Sequence, residues 1–209
     1  MPHSRTFDCI VLASYDVGEA DRFVILLTRE EGRLAARVPG ARRAKSRLSA
    51  LLPLTHCAVE LKESQGNYLV SGIAMQPRPS DPSHLQNFLA RTQMSELLLA
   101  LLSDGEPVRE IFEALSVLLQ QEYCTSRDVL AFTFRTLDLL GVLPETTNRL
   151  FASLSDEERS FVQASTCGTV VNGTVPCTRL HALCTQIVRQ HCTRPLRSAD
   201  VAAACAATV

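Results

Sequence analysis

The chain has 209 residues, 46% of them hydrophobic, and sets 21 Lys and Arg against 22 Asp and Glu for a formal net charge of −1. That length holds one large domain or two small ones with a sizeable core. The balance excludes a protein that attracts polyanions by total charge, so local clustering is the only electrostatic signal left. The opening MPHSRTFD lacks the basic and apolar stretches of a signal peptide, and no apolar run reaches the roughly 18 residues of a membrane span, so a soluble cytoplasmic protein that does not engage membranes is expected.

Residues 1–76 read as β structure. Phe7–Ser14, Arg22–Thr28, Arg33–Pro39, Leu54–Lys62 and Asn67–Met75 are short runs rich in Val, Ile and Leu, separated by turn-prone stretches at Asp16–Asp21, Glu30–Gly32 and Ser64–Asn67. Glu31-Gly32 predicts a tight hairpin turn, because glycine accepts the positive φ that such a turn requires. Short strands in this number and spacing predict a Greek-key barrel of the OB type. Ser46–Leu52 predicts one or two helical turns, stopped by Pro53.

Gln76–Pro82 carries three prolines in seven residues and marks the clearest boundary. The division expected is an OB-type barrel over 1–76, a Pro-rich linker over 77–83 and an all-helical domain over 84–209, giving an α+β chain. Leu85–Leu102 predicts a long helix containing Phe88, Leu89, Leu97, Leu98 and Leu101. Glu110–Glu122 repeats apolar residues at Ile111, Phe112, Leu115, Leu118 and Leu119. Ser126–Leu140 is apolar on nearly every side, which suits the centre of a bundle. Gly141 then serves as a C-terminal cap and Pro144 as a stop. Ser155–Glu158 is a capping box that opens another helix. A polar, irregular segment is expected near 165–177. Leu180, Leu183, Cys184, Ile187, Val188 and His191 then form one helical stripe, and a short helix from Ser198 is expected.

One segment concentrates charge. Arg33, Arg37, Arg42, Arg43, Lys45 and Arg47 place six cations within fifteen residues that contain no Asp or Glu. A phosphate backbone needs several donors on a surface whose own acids do not cancel them. Arg33 and Arg37 share a parity, so both fall on one face of their strand. Taken alone, the segment also fits a solvated charge run that makes scattered ion pairs.

The words around it are more specific. Tyr15-Asp16-Val17-Gly18-Glu19-Ala20-Asp21-Arg22, Leu27-Thr28-Arg29-Glu30-Glu31-Gly32-Arg33-Leu34, Pro39-Gly40-Ala41-Arg42-Arg43-Ala44-Lys45-Ser46-Arg47-Leu48 and Leu52-Pro53-Leu54-Thr55 occur in that order. The series closely resembles the N-terminal domain of RecO, the bacterial DNA-repair and recombination-mediator family. Phe134-Arg135-Thr136-Leu137-Asp138-Leu139-Leu140-Gly141 looks like that family's central helix, and Arg194-Pro195-Leu196-Arg197-Ser198 like its near-terminal word. The resemblance implies an OB-fold followed by helices, and a protein of the bacterial cytoplasm and nucleoid without enzymatic turnover. It implies binding to single- and double-stranded DNA and annealing of complementary strands. It also implies work with RecR, helping RecA displace the single-stranded DNA-binding protein, whose acidic C-terminal tail docks on the helical domain.

The DNA contacts expected are Arg22, Arg33, Arg37, Arg42, Arg43, Lys45 and Arg47. Arg22 is divided between that role and pairing with Glu19 or Asp21. Arg135 lies in an otherwise apolar helix; it either reaches the surface, is paired, or captures the acidic tail, with Arg91 a second candidate of that kind. Alternation assigns Phe7 and Phe23 to the core, so backbone contacts are expected to outweigh base stacking. Most of the eight cysteines are expected as small buried hydrophobes. Cys167, Cys177, Cys184 and Cys192 lack the CxxC pairs of a structural zinc site, and His181 or His191 improves the set little, so no cofactor is expected. Asp16, Glu19 and Asp21 fit turn flanks better than a metal or acid–base site. The other reading is a protein-interaction adaptor that acts through its helical half.

Overall fold

A computed structural model describes residues 4–64, 66–76, 85–145, 148–169, 177–192 and 197. The expected linker over 77–83, residues 170–176 of the expected irregular 165–177 segment and the helix from Ser198 fall outside them. By contacts the chain divides into one compact unit of Met1–Asp81 with Leu102–Glu122 and another of Pro82–Leu101 with Tyr123–Val209.

The first unit is built on strands β1 (Ser4–Val17), β2 (Asp21–Thr28), β3 (Gly32–Val38), β4 (His56–Ser64) and β5 (Asn67–Met75). They close in the order β1-β2-β3-β5-β4. All neighbours are antiparallel except β3 and β5, whose parallel pairing of Ala36 with Tyr68 and Arg37 with Leu69 shuts the barrel. This is the OB-type architecture expected from the strand spacing. Its interior holds Phe7, Cys9, Val11, Val24, Leu26 and Val59, all buried.

Gly32 closes the β2–β3 hairpin at φ 67, as the sequence requires, and Thr28 Oγ1 braces the turn by donating to the Gly32 carbonyl. A Cβ at Gly32 would fall 1.7 Å from the Glu106 carbonyl oxygen, so only glycine fits between the hairpin and that backbone. Lys45 also has a positive φ, 65°, in the loop after β3, a conformation uncommon for a side-chain-bearing residue.

Helix α1 (Leu85–Leu101) belongs to the second unit, whereas α2 (Arg109–Gln120) groups with the barrel. The periodicity of α2 announces a buried face without saying what covers it. Outside the barrel core, Ile10 sits between Leu27 on β2 and His56 on β4, and both leucine and isoleucine are fully buried. The His56 ring meets Phe112 of α2 edge-on with centroids 5.7 Å apart, and Arg29 pairs with Glu113 at 3.0 Å. The helix is thus tied to the outer face of the barrel.

In the second unit, α3 (Ser126–Leu139) packs against α1, α4 (Asp156–Thr166) and α5 (Cys177–His191), the central position expected from its apolar circumference. Thr125 and Asp128 form a capping box at its start, and Ser155 with Glu158 forms the predicted one on α4. Gly141 ends α3 at φ 67. The α5 stripe is buried at Leu180, Leu183, Cys184, Ile187 and Val188, but His191 is exposed. Cys9, Cys57, Cys124 and Cys184 are buried free thiols; burial pushes the Cys124 thiol up to about 12 and the Cys184 thiol higher still. Cys9 and Cys57 face each other inside the barrel with sulfurs 4.0 Å apart.

Candidate nucleic-acid interface

The basic segment divides into strand and loop. On β3, Leu34, Ala36 and Val38 point into the barrel and are buried, which turns Arg33 and Arg37 outward on a common face as their parity predicts. Gly40–Ser46 makes a sequence of turns, and Arg47–Ala50 is one 3-10 turn. Arg42, Arg43, Lys45 and Arg47 are all exposed.

The acid-free stretch of sequence is not acid-free in space. Arg33 Nε lies 2.6 Å from Asp104 Oδ1, a partner 71 residues away. Arg37 donates from Nε at 2.9 Å and Nη2 at 2.5 Å to Asp21 Oδ2. Asp16 takes both Arg22, at 3.0 Å, and Arg42, at 3.4 Å. Arg22 is therefore paired, but with Asp16 rather than with Glu19 or Asp21. The solvated ion-pair reading holds for these four arginines. For Arg43, Lys45 and Arg47 no side-chain hydrogen bond or ion pair forms among the described residues.

The loop is held in place by backbone as well as charge. Arg42 N–H donates to the Ala20 carbonyl at 2.9 Å, and its Nη1 donates to the Gly18 carbonyl at 2.9 Å. These bonds lay the loop along the β1–β2 hairpin tip. Asp21 anchors the other side: its Oδ1 accepts the Gly40 N–H at 2.8 Å. That N–H, and then the Arg37 guanidinium, lower the Asp21 pKa below its ordinary value, so the carboxylate stays charged. The acids that partner the arginines thus also fix the loop that carries the uncompensated cations.

Aromatic placement corrects one expectation. Phe7 is 2% exposed and lies in the core as alternation requires, but Phe23 is 38% exposed. Every residue of Phe23–Leu27 is apolar, so either phase of the strand reads as a core face; Val24 and Leu26 take the interior and Phe23 takes the outside.

The two arginines of the helical half lie differently from their expected role. Arg91 is 2% exposed, within α1, so a peptide cannot reach its guanidinium without opening the unit. This corrects its candidacy as a tail contact. Arg135 is half-buried and donates from Nη1 to the carbonyl of Thr166, the last residue of α4. A cation there satisfies a carbonyl left without a helical partner and complements the negative end of the helix dipole. Gly168 lies against the same guanidinium, where a Cβ would stand 3.8 Å from it. Cys167 is exposed, Cys177 and Cys192 are half-buried, and Cys184 is held in the apolar face of α5.

Comparison with known proteins agrees with this architecture. The family description Recombination protein O N terminal matches residues 1–75, and Recombination protein O C terminal matches residues 82–179. The DNA repair protein RecO of Syntrophobacter fumaroxidans is 34% identical over 155 residues, covering 71% of this chain and 61% of that protein. Its counterpart in Rhodopirellula baltica is 34% identical over 176 residues, covering 80% and 64%, and that of Myxococcus xanthus 34% over 148 residues, covering 66% and 59%. The chain spans about three-fifths of the length of these curated relatives. With both terminal domains matched and an OB-type barrel preceding a helical unit, the chain belongs to the RecO family of DNA repair proteins.

Proposed function

We propose that the chain holds DNA by its phosphates on the loop after β3, binds both single and double strands, and anneals complementary ones. The observation that carries this reading is the set Arg43, Lys45 and Arg47: exposed, with no hydrogen bond or ion pair to a carboxylate among the described residues, and on a loop bonded to the barrel or the 3-10 turn that follows it. Annealing must bring two polyanions together, and a fixed cluster of cations lowers their repulsion without reading sequence. The reading involves binding and strand pairing with no chemical turnover, and no metal. In the bacterial cytoplasm, at the nucleoid, such a protein works with RecR to help RecA replace the single-stranded DNA-binding protein. The acidic tail of that protein meets the helical unit at Arg135.

Salt dependence tests the central step. Three phosphate contacts on a single strand correspond to a log–log slope of about −2, or about a twentyfold loss of affinity between roughly 50 and 200 mM salt. Fluorescence anisotropy with a labelled oligonucleotide measures it. Replacing Arg43, Lys45 and Arg47 together by Ala is expected to remove most of that slope; a wild-type response that is flat with salt refutes the reading.

A second reading has its own observation. Leu85 and Phe88 of α1 are 60% and 47% exposed, an apolar offer that DNA does not need. It makes the chain a protein-interaction adaptor with incidental DNA binding. Strand annealing by the chain with and without bound single-stranded DNA-binding protein separates the two, because an adaptor alone does not anneal.

A further inference from the structure

The outer face of the barrel is not uniformly covered. Near one end, Ile10 and Leu27 are fully buried. Toward the β1–β2 hairpin tip the same sheet exposes Tyr15 at 55%, Val17 at 44% and Phe23 at 38%. β4 leaves β1 after Ile10, whereas β1 and β2 remain paired to Val17 and Asp21. A register shift between Val11 and Ala13 explains why an aromatic is here. Phe7, Cys9 and Val11 face inward. Unbroken alternation would send Tyr15 inward too; one extra residue transfers every later side chain to the opposite face. Tyr15 then stands directly opposite Phe23, and Phe23 directly opposite Arg37, so the three form one outward row across β1, β2 and β3.

We propose that Tyr15 and Phe23 form a stacking platform for unpaired nucleobases, whose backbone is held by the neighbouring loop cations. The inference rests on the nucleic-acid reading of that loop and adds to it the form of DNA preferred. Charge complementarity selects this occupant over a protein. Arg37 ends the aromatic row and Arg22 shares with Tyr15, Asp16, Leu52 and Pro53 an open hollow of about 420 Å³, but Asp21 and Asp16 pair these two arginines, so the surplus charge comes from the loop. Arg42 bonds to Gly18 and Ala20 at the hairpin tip, and so brings the loop bearing Arg43 and Lys45 alongside. Flat aromatic area beside several cations matches a chain that alternates flat bases with phosphates. Duplex DNA keeps its base faces inside, so only the unpaired strand gains from the platform. Stacking also uses the face of a base and leaves its pairing edge free, which is compatible with annealing.

The test compares the full 209-residue chain on two single-stranded oligonucleotides of equal phosphate count, one with bases and one wholly abasic. Wild type is expected to bind the abasic strand at least about fivefold more weakly, the lower end of what one stacked base contributes. Tyr15→Ala and Phe23→Ala, both at exposed positions, are expected to lose affinity for the normal strand and to keep the wild-type affinity for the abasic strand and for duplex. Tyr15→Phe is expected to retain discrimination. Equal binding of the two strands by wild type overturns the proposal without needing any variant. So do Ala variants that still discriminate like wild type. If wild type fails to discriminate but the loop triple variant still abolishes binding, the phosphate reading stands and stacking alone falls. Absence of salt-dependent binding sinks both.

Discussion

Arginines on β2 and β3 and the cations that follow β3 are used differently. Arg33 and Arg37 on β3 and Arg22 on β2 each meet a carboxylate, and Arg135 on α3 meets the last carbonyl of α4. Arg91 on α1 is enclosed. In the loop and the 3-10 turn after it, Arg42 is paired, but Arg43, Lys45 and Arg47 face solvent with no hydrogen bond or ion pair to a carboxylate among the described residues, Arg43 adding only a through-space pull on Asp21. The paired strands fix the neighbours of each side chain, so a partner can be placed beside it. A loop has no such lattice, and its charges remain available to a ligand. Cation count in the sequence therefore overstates the binding surface; cations that remain uncompensated in space define it.

Replacing each set of cations separately tests the difference between them. Arg43, Lys45 and Arg47 to Ala is expected to reduce single-strand affinity at least about tenfold at low salt and to flatten its salt response. Arg22, Arg33 and Arg37 to Ala is expected to lower stability, seen in urea denaturation, with the smaller change in affinity. Anisotropy that ranks the two triples the other way removes the distinction between loop and element charges.

Next in size is Arg135. If its main partner is the α4 carbonyl, Arg135→Ala destabilises the chain by about 1.5 kcal/mol, the lower end of the range for a hydrogen bond that involves a charged group. Arg135→Lys recovers part of that loss, because an ammonium can still reach a carbonyl but lacks the planar fork. Calorimetric titration of an acidic C-terminal peptide adds the functional side. The tail-docking role predicts weaker peptide binding by Arg135→Ala at a temperature where the variant is still folded, and unchanged affinity leaves Arg135 a helix-capping residue only.

Much of this was legible in the sequence. Strand positions followed from short apolar runs between turn signals, and the hairpin glycine, the α4 capping box and the central place of α3 all followed from local chemistry. The errors have physical causes. β1 runs on to Val17 because pairing with β2 outweighs the turn preference of Asp16. The outward turn of Tyr15 depends on a bulge that no residue near Val11 announces. Phe23 lies in a run where both phases are apolar. The Arg33 partner, Asp104, is separated from it in sequence by β4, β5 and α1, so a window around the basic segment could not contain it. Contacts between neighbours in sequence were readable; contacts made by closure of the fold were not.

The smallest expected effect is also the most direct probe of the exchange between ion pair and phosphate. Asp21→Asn removes the charge that holds Arg37 but keeps an oxygen able to accept the Gly40 N–H. Single-strand affinity should rise slightly and the salt slope steepen by about 0.7, as one more cation becomes available to phosphate. Stability moves the opposite way, and its pH dependence identifies the group. Gly40 and Arg37 depress the folded pKa of Asp21 below its ordinary 3.8. The unfolded chain therefore takes up the proton first as pH falls. The contribution of Asp21 is present in full above that ordinary value, and is lost as pH drops through the folded pKa. Urea midpoints should therefore fall less steeply below about pH 4 in Asp21→Asn than in wild type. Parallel acid limbs would mean that the pair contributes nothing measurable, as many exposed ion pairs do. Arg37 would then already be free for DNA, and the boundary between strand and loop cations would move to include it.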